Sequence, residues 1–89
     1  MLVLPQELTQ SQASACLRML LQGLRSQSEE MVEIDAAALQ QFDSSALAVL
    51  LEFHRESLAF GKKLVIKNLS PRLLDLAGLY GIEGLLPRN

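Results

Sequence analysis

The chain alternates between short apolar runs and longer stretches in which apolar residues return every third or fourth place. Leu2–Leu4 is the first apolar run, and Pro5, which has no amide hydrogen to give to a ladder, stops it. From about Gln10 to Arg25 the period is helical. Ala13, Leu17, Leu20, Leu21 and Leu24 line one stripe, Arg18, Gln22 and Arg25 lie opposite, and Cys16 sits on the stripe's edge. Thr9 stands at the N-cap position, and Gln12 three places on completes a capping-box pattern. After the polar turn Ser26–Glu30, a second strand is expected at Met31–Asp35, with Val32 and Ile34 on one face. Ala36–Phe42 reads as a loop or an extension of that strand.

Asp43-Ser44-Ser45 opens a second helix that runs to about Phe60 and stops at Gly61. At about 100° per residue, Ala46, Leu47, Leu50, Leu51, Phe53, His54, Ser57, Leu58 and Phe60 share its packed half. Ala48, Glu52, Arg55, Glu56 and Ala59 share the opposite half, and Val49 lies on the border. Lys62-Lys63 precede a third strand, Leu64–Lys67. Ser70-Pro71 then starts a third helix, marked by Leu73, Leu74, Leu76, Ala77 and Leu79 and ended by Gly78 and Gly81. Ile82–Pro87 closes the chain.

Strands that alternate with helices at intervals of about 30 residues point to right-handed crossovers and parallel strands. The expected class is therefore α/β, a βα repeat with a small, mostly parallel sheet covered by helices. Residues 1–89 are read as a single domain, which suits their number. An apolar content of 49% argues against disorder. No apolar run approaches the roughly 18 residues of a membrane span, and Met1–Leu8 lacks the basic start of a signal peptide. A net charge of −2 leaves no electrostatic footprint for nucleic acid. These readings converge on a cytoplasmic domain with no direct membrane insertion.

Catalytic chemistry is thinly supplied. One cysteine and one histidine exclude an internal disulfide and a Cys/His metal cluster. Lys62 follows Gly61, but no glycine-rich loop precedes it and no Ser or Thr follows, so no P-loop is formed. Cys16 falls on an apolar edge, where burial is expected, and His54 falls in the packed half of its helix. Asp35 and Asp43 flank a loop, and turn and capping roles account for both. The expectation is a protein without enzymatic activity, cofactor or metal.

One constellation carries a sharper alternative. Asp43-Ser44-Ser45 reads first as an N-cap, yet the first turn of a helix also offers unpaired N–H groups and a positive dipole end. A phosphate on Ser44 would suit that helix end while opposing Asp43, and it would change the surface shown to a partner.

Taken together, three stretches resemble the STAS-domain family, named for sulfate transporters and anti-sigma-factor antagonists. They are Val32-Glu33-Ile34-Asp35, Phe42-Asp43-Ser44-Ser45-Ala46-Leu47-Ala48-Val49-Leu50-Leu51, and Gly61-Lys62-Lys63-Leu64-Val65-Ile66. The tail Leu76-Ala77-Gly78-Leu79-Tyr80-Gly81-Ile82 adds to them. The family's hallmark is an Asp-Ser/Thr-Ser/Gly-Gly-Leu stretch at the start of its second helix; Ala46 stands here in place of the usual glycine. The likeness covers Val32 to Pro87 well and the first thirty residues loosely. It implies a STAS-like (SpoIIAA-like) fold from which the family's extra N-terminal strand is missing. The uncovered sheet edge left behind would permit a homodimer.

Within the family, the compact length and the ending Leu79-Tyr80-Gly81-Ile82…Leu85-Leu86-Pro87 are similar to a small cytoplasmic subunit of a Gram-negative phospholipid-transporting ABC system. That likeness implies an accessory role. The partner would be the transporter's ABC ATPase and, through it, the permease, at the cytoplasmic side of the inner membrane, in support of outer-membrane lipid asymmetry. It implies partner-binding residues Asp43, Ser44, Ser45, Ala48, Val49, Glu52 and Arg55, with Ser44 as a possible phosphorylation site. The alternative within the family is an anti-sigma-factor antagonist controlled by phosphorylation of Ser44.

Overall fold

In the computed structural model, which describes residues 1–88, the three expected apolar runs become parallel strands. β1 (Leu2–Val3), β3 (Met31–Asp35) and β5 (Lys63–Lys67) lie in the order β1-β3-β5. Leu2 pairs with Ile34, and the five residues of β3 pair one for one with those of β5. Leu4 N–H to the Asp35 carbonyl and Ala36 N–H to the Lys67 carbonyl carry the ladder one step past the strands.

A second, two-stranded parallel sheet joins β2 (Glu7–Leu8) to β4 (Gln41–Phe42). β4 lies inside what the sequence offers only as a loop or strand extension, Ala36–Phe42, and β2 lies between Pro5 and Thr9, where the sequence pattern assigns no element. Two-residue strands carry too short an alternation to be read from pattern. The amides of Gln40 and Gln41 both donate to the Gln6 carbonyl, which starts the pairing.

Three helices connect and cover the strands: α1 (Gln10–Ser26), α2 (Ser44–Ala59) and α3 (Pro71–Leu79). Their starts follow the expected capping chemistry. Gln12 Oε1 accepts from the Thr9 backbone N–H at 2.9 Å, Ser45 N–H donates to Asp43 Oδ1 at 2.8 Å, and Leu73 N–H donates to Ser70 Oγ at 3.2 Å. Gly61 and Gly81 take positive φ (72° and 70°) just past the ends of α2 and α3, where L side chains are strained. Lys62 N–H then reaches the Ser57 carbonyl, and Ile82 N–H the Ala77 carbonyl, closing both ends in the same way. Gly78, expected as part of the stop, lies inside α3; the positive-φ position is Gly81 alone.

The core sits on one side of the main sheet. Val32 and Ile34 of β3 and Leu64 and Ile66 of β5 are buried beneath Leu20, Leu24, Leu50 and Phe53. Their neighbours along the strands are not buried: Met31 and Lys63 are exposed, and Glu33, Asp35, Val65 and Lys67 are half-buried. The parallel sheet is thus sealed on one face and partly open on the other, where Glu33 and Lys67 form an ion pair at 2.7 Å. The far edge of β5 is met by the chain's tail, through Ile66 N–H to the Pro87 carbonyl at 2.7 Å. The outer edge of β1 pairs with no strand among the described residues.

Two placements differ from the helical-wheel expectation. Cys16 is buried as expected, but it stands in line with Leu20 and Leu24, one turn ahead of Leu20 on the sealed face of α1 rather than at its edge, and burial pushes its thiol pKa up. On α2 the buried arc runs from Val49 through Phe53, Ser57 and Leu50 to Leu47, rotated toward α1. The reason is packing. α1 lies along α2 and covers the Val49 side, while Leu58 and Phe60 fall beyond that cover and remain 60% and 50% exposed. Among the described residues no helix is long and apolar enough to cross a membrane.

Candidate functional site

The candidate site is the start and outer ridge of α2. β4 delivers the chain to Asp43, whose extended backbone and side chain cap the helix, and Ser44 becomes the first helical residue. With about 3.6 residues per turn, Ser44, Ala48, Glu52 and Arg55 fall on one side. Ser44, Ala48 and Arg55 are exposed and Glu52 is half-buried. Glu52 and Arg55 form an ion pair one turn apart along this ridge. Ser45 is half-buried and turned toward α1.

Two open grooves flank the ridge. One, of about 310 Å³, runs between α1 and α2 and is lined by Ala13, Ser14 and Leu17 on one wall and Ser45, Ala48, Val49 and Glu52 on the other. The second, of about 520 Å³, lies between the ridge and the 3-10 turn Glu83–Leu85; Leu51, His54, Leu58, Gly84 and Leu85 line it beside Ala48, Glu52 and Arg55. Both are mainly apolar with the charged pair on the crest. A helical ridge between two shallow furrows has the relief by which helices pack ridge into groove.

Two of the expected partner-binding residues are placed differently from that expectation. Val49 is 3% exposed and packs in the floor between α1 and α2, so it lines the groove from below rather than standing on the exposed ridge. Asp43 is half-exposed, but both carboxylate oxygens are engaged: Oδ1 accepts from Ser45 N–H at 2.8 Å and Oδ2 from Gln10 N–H at 3.1 Å. The Ser45 N–H chiefly, with help from that of Gln10, holds the Asp43 carboxyl below the usual carboxylate range. Asp35 is engaged separately. Its Oδ1 accepts from the Asn68 side-chain amide and the Ala37 N–H, each at 2.9 Å, and Asn68, chiefly, holds this carboxyl low as well. The two aspartates therefore do turn and cap work apart from each other.

Sequence reasoning missed the residues contributed by other elements. The α1 wall (Ala13, Ser14, Leu17) and the far wall (Gly84, Leu85) meet α2 only in three dimensions. Arg72 of α3 was also missed; its guanidinium stands 5.0 Å from the centre of the Phe42 ring, just ahead of the helix start. A local signal existed for the α1 wall alone: Ala13 and Leu17 are one helical turn apart at the margin of the apolar stripe. Among the described residues, no group of three His, Cys, Asp or Glu side chains is placed to hold a metal ion.

The sequence model of the family described as "Mlab, STAS domain" matches residues 1–87, so the match includes the first thirty residues, where the motif likeness is loose. No curated protein matches the chain.

Proposed function

The chain belongs to the Mlab STAS-domain family, and we propose that it serves as a non-catalytic accessory subunit that docks on the ABC ATPase of a phospholipid transporter through the outer ridge of α2. In this reading the ATPase links it to the permease, and the assembly works at the cytoplasmic side of the inner membrane to maintain lipid asymmetry of the outer membrane. The observation that carries the reading is the exposed line Ser44–Ala48–Arg55, with Glu52 beside it, between two apolar grooves in a chain of this family. Apolar furrows supply burial, and the Glu52–Arg55 pair at the crest supplies register rather than affinity.

Ser44 is the residue on which docking should turn, because it is exposed at the first helical position where bulk or charge meets a partner at once. In co-purification with the ATPase subunit, Ser44→Glu is expected to weaken association roughly tenfold or more. Replacing Glu52 and Arg55 together by alanine should weaken it modestly and leave the melting temperature unchanged, since exposed ion pairs contribute at most about 1 kcal/mol. Association untouched by Ser44→Glu would move the docking surface elsewhere. The second reading, an anti-sigma-factor antagonist, is favoured by the same exposed hydroxyl at a helix start that suits a phosphate. It would require phosphorylation of Ser44 by a serine kinase and capture of an anti-sigma factor in place of the ATPase.

A further inference from the structure

An N-cap aspartate ordinarily serves its own helix with one oxygen. Asp43 does more. Its second oxygen accepts from Gln10, the first residue of a helix that begins 33 positions earlier in the chain. The small sheet explains how this happens: β2 pairs with β4 in parallel with Leu8 opposite Phe42, so each strand feeds its helix from the same level and the two first turns lie side by side. Serine and asparagine cap a helix about as well as aspartate. Neither of them offers two strong acceptor oxygens with no donor, which is what two converging N–H groups and two positive helix ends require.

We infer that Asp43 is a strap between the first turns of α1 and α2, a positioning residue that sets the separation of the groove walls rather than a group that a partner grips. The groove lined by Ser14 and Leu17 on α1 and Ser45 on α2 begins within two turns of the strap, so loosening it changes the furrow that the ridge presents. The consequence for binding rests on the docking reading above. The strap itself does not, and the two are separable by experiment.

Three variants of the full chain test it. Asp43→Asn keeps one acceptor and turns an NH₂ group toward the other amide, so the Gln10 amide should exchange with solvent roughly tenfold faster by hydrogen exchange, while amides of β3 and β5 stay as in the wild type. Gln10→Pro removes the donor without touching Asp43; proline is favoured at the first helical position, and Thr9 already has the extended backbone that must precede it. Gln10→Ala keeps the N–H and removes only the side chain. With the purified transporter ATPase as probe, Asp43→Asn and Gln10→Pro should each raise Kd roughly fivefold, and Gln10→Ala should bind as the wild type does. Asp43→Asn weakening binding while Gln10→Pro does not would make Asp43 a direct contact and overturn the inference. So would unchanged exchange at Gln10 in Asp43→Asn, or Gln10→Ala weakening binding as much as Gln10→Pro. If the wild type itself fails to bind the ATPase, the docking reading falls, and hydrogen exchange alone still decides the strap.

Discussion

Phe53 anchors α2 on the sheet: it is the largest of the fully buried side chains, with Val32, Ile34, Leu50 and Ile66 among its buried companions in the core. Truncating such a ring leaves a cavity that a small core cannot close, and Phe53→Ala is expected to cost about 3–5 kcal/mol. Domains of this size hold only about 5–15 kcal/mol in total. A urea titration should show the midpoint falling sharply with little change in slope. A small shift would mean that the core rearranges to fill the space. Ser57, the one buried polar side chain among the described residues, costs little because its hydroxyl donates to the Phe53 carbonyl one turn back at 2.8 Å. Gly23 has a different reason for its place. A methyl group there would run into the tip of the Leu2 side chain, so the glycine admits β1 against the flank of α1.

At the level of elements, α1 and α2 are tied at their ends by groups drawn from elsewhere in the fold. Lys62 Nζ donates to the carbonyls of Gln27 (2.8 Å) and Glu29 (2.6 Å), binding the turn after α1 to the end of α2. α3 depends on its own start, where Ser70 accepts from Leu73 N–H and Pro71 occupies the first helical position. Ser70→Ala is expected to destabilise the protein by about 1 kcal/mol, read by urea titration. Hydrogen exchange should quicken first in the amides of α3. Unchanged stability would show that α3 is held by Leu73 and Ala77 packing alone, both of which are fully buried.

For the whole molecule, the response to acid turns on two hydrogen-bonded carboxylates, Asp35 at the end of β3 and Asp43 just past β4. Asp35 and Asp43 both have pKa values below the ordinary one, because side-chain and backbone N–H groups bond the charged form. A lowered folded-state pKa stabilises the fold above the unfolded value of about 3.9. That contribution is lost as pH falls through this value toward the folded one. Melting temperature should therefore hold steady from pH 7 to about 5 and decline below about 4. Asp43→Asn should show a shallower acid decline than the wild type. An acid limb of equal steepness in the variant would uncouple this carboxylate from folding.

Local chemistry alone determined most of the elements and the family. The strand cores at Met31–Asp35 and Leu64–Lys67, the three helix starts and the stops at Gly61 and Gly81 are legible because caps, turns and apolar periodicity act over a few residues. The Asp43-Ser44-Ser45 motif and the tail marked the STAS domain for the same reason, as short runs of particular side chains. Only the packed fold decided which arc of α2 is sealed, since that depends on where α1 comes to rest: it buried Val49 and left Leu58 in the open. It also decided that Asp43 faces two helices at once, because the parallel pairing of Glu7–Leu8 with Gln41–Phe42 brings together residues that are remote along the chain. Side-chain periodicity reports a residue's own helix or strand; contacts made across a sheet or between helix ends carry no period, and three dimensions alone assign them.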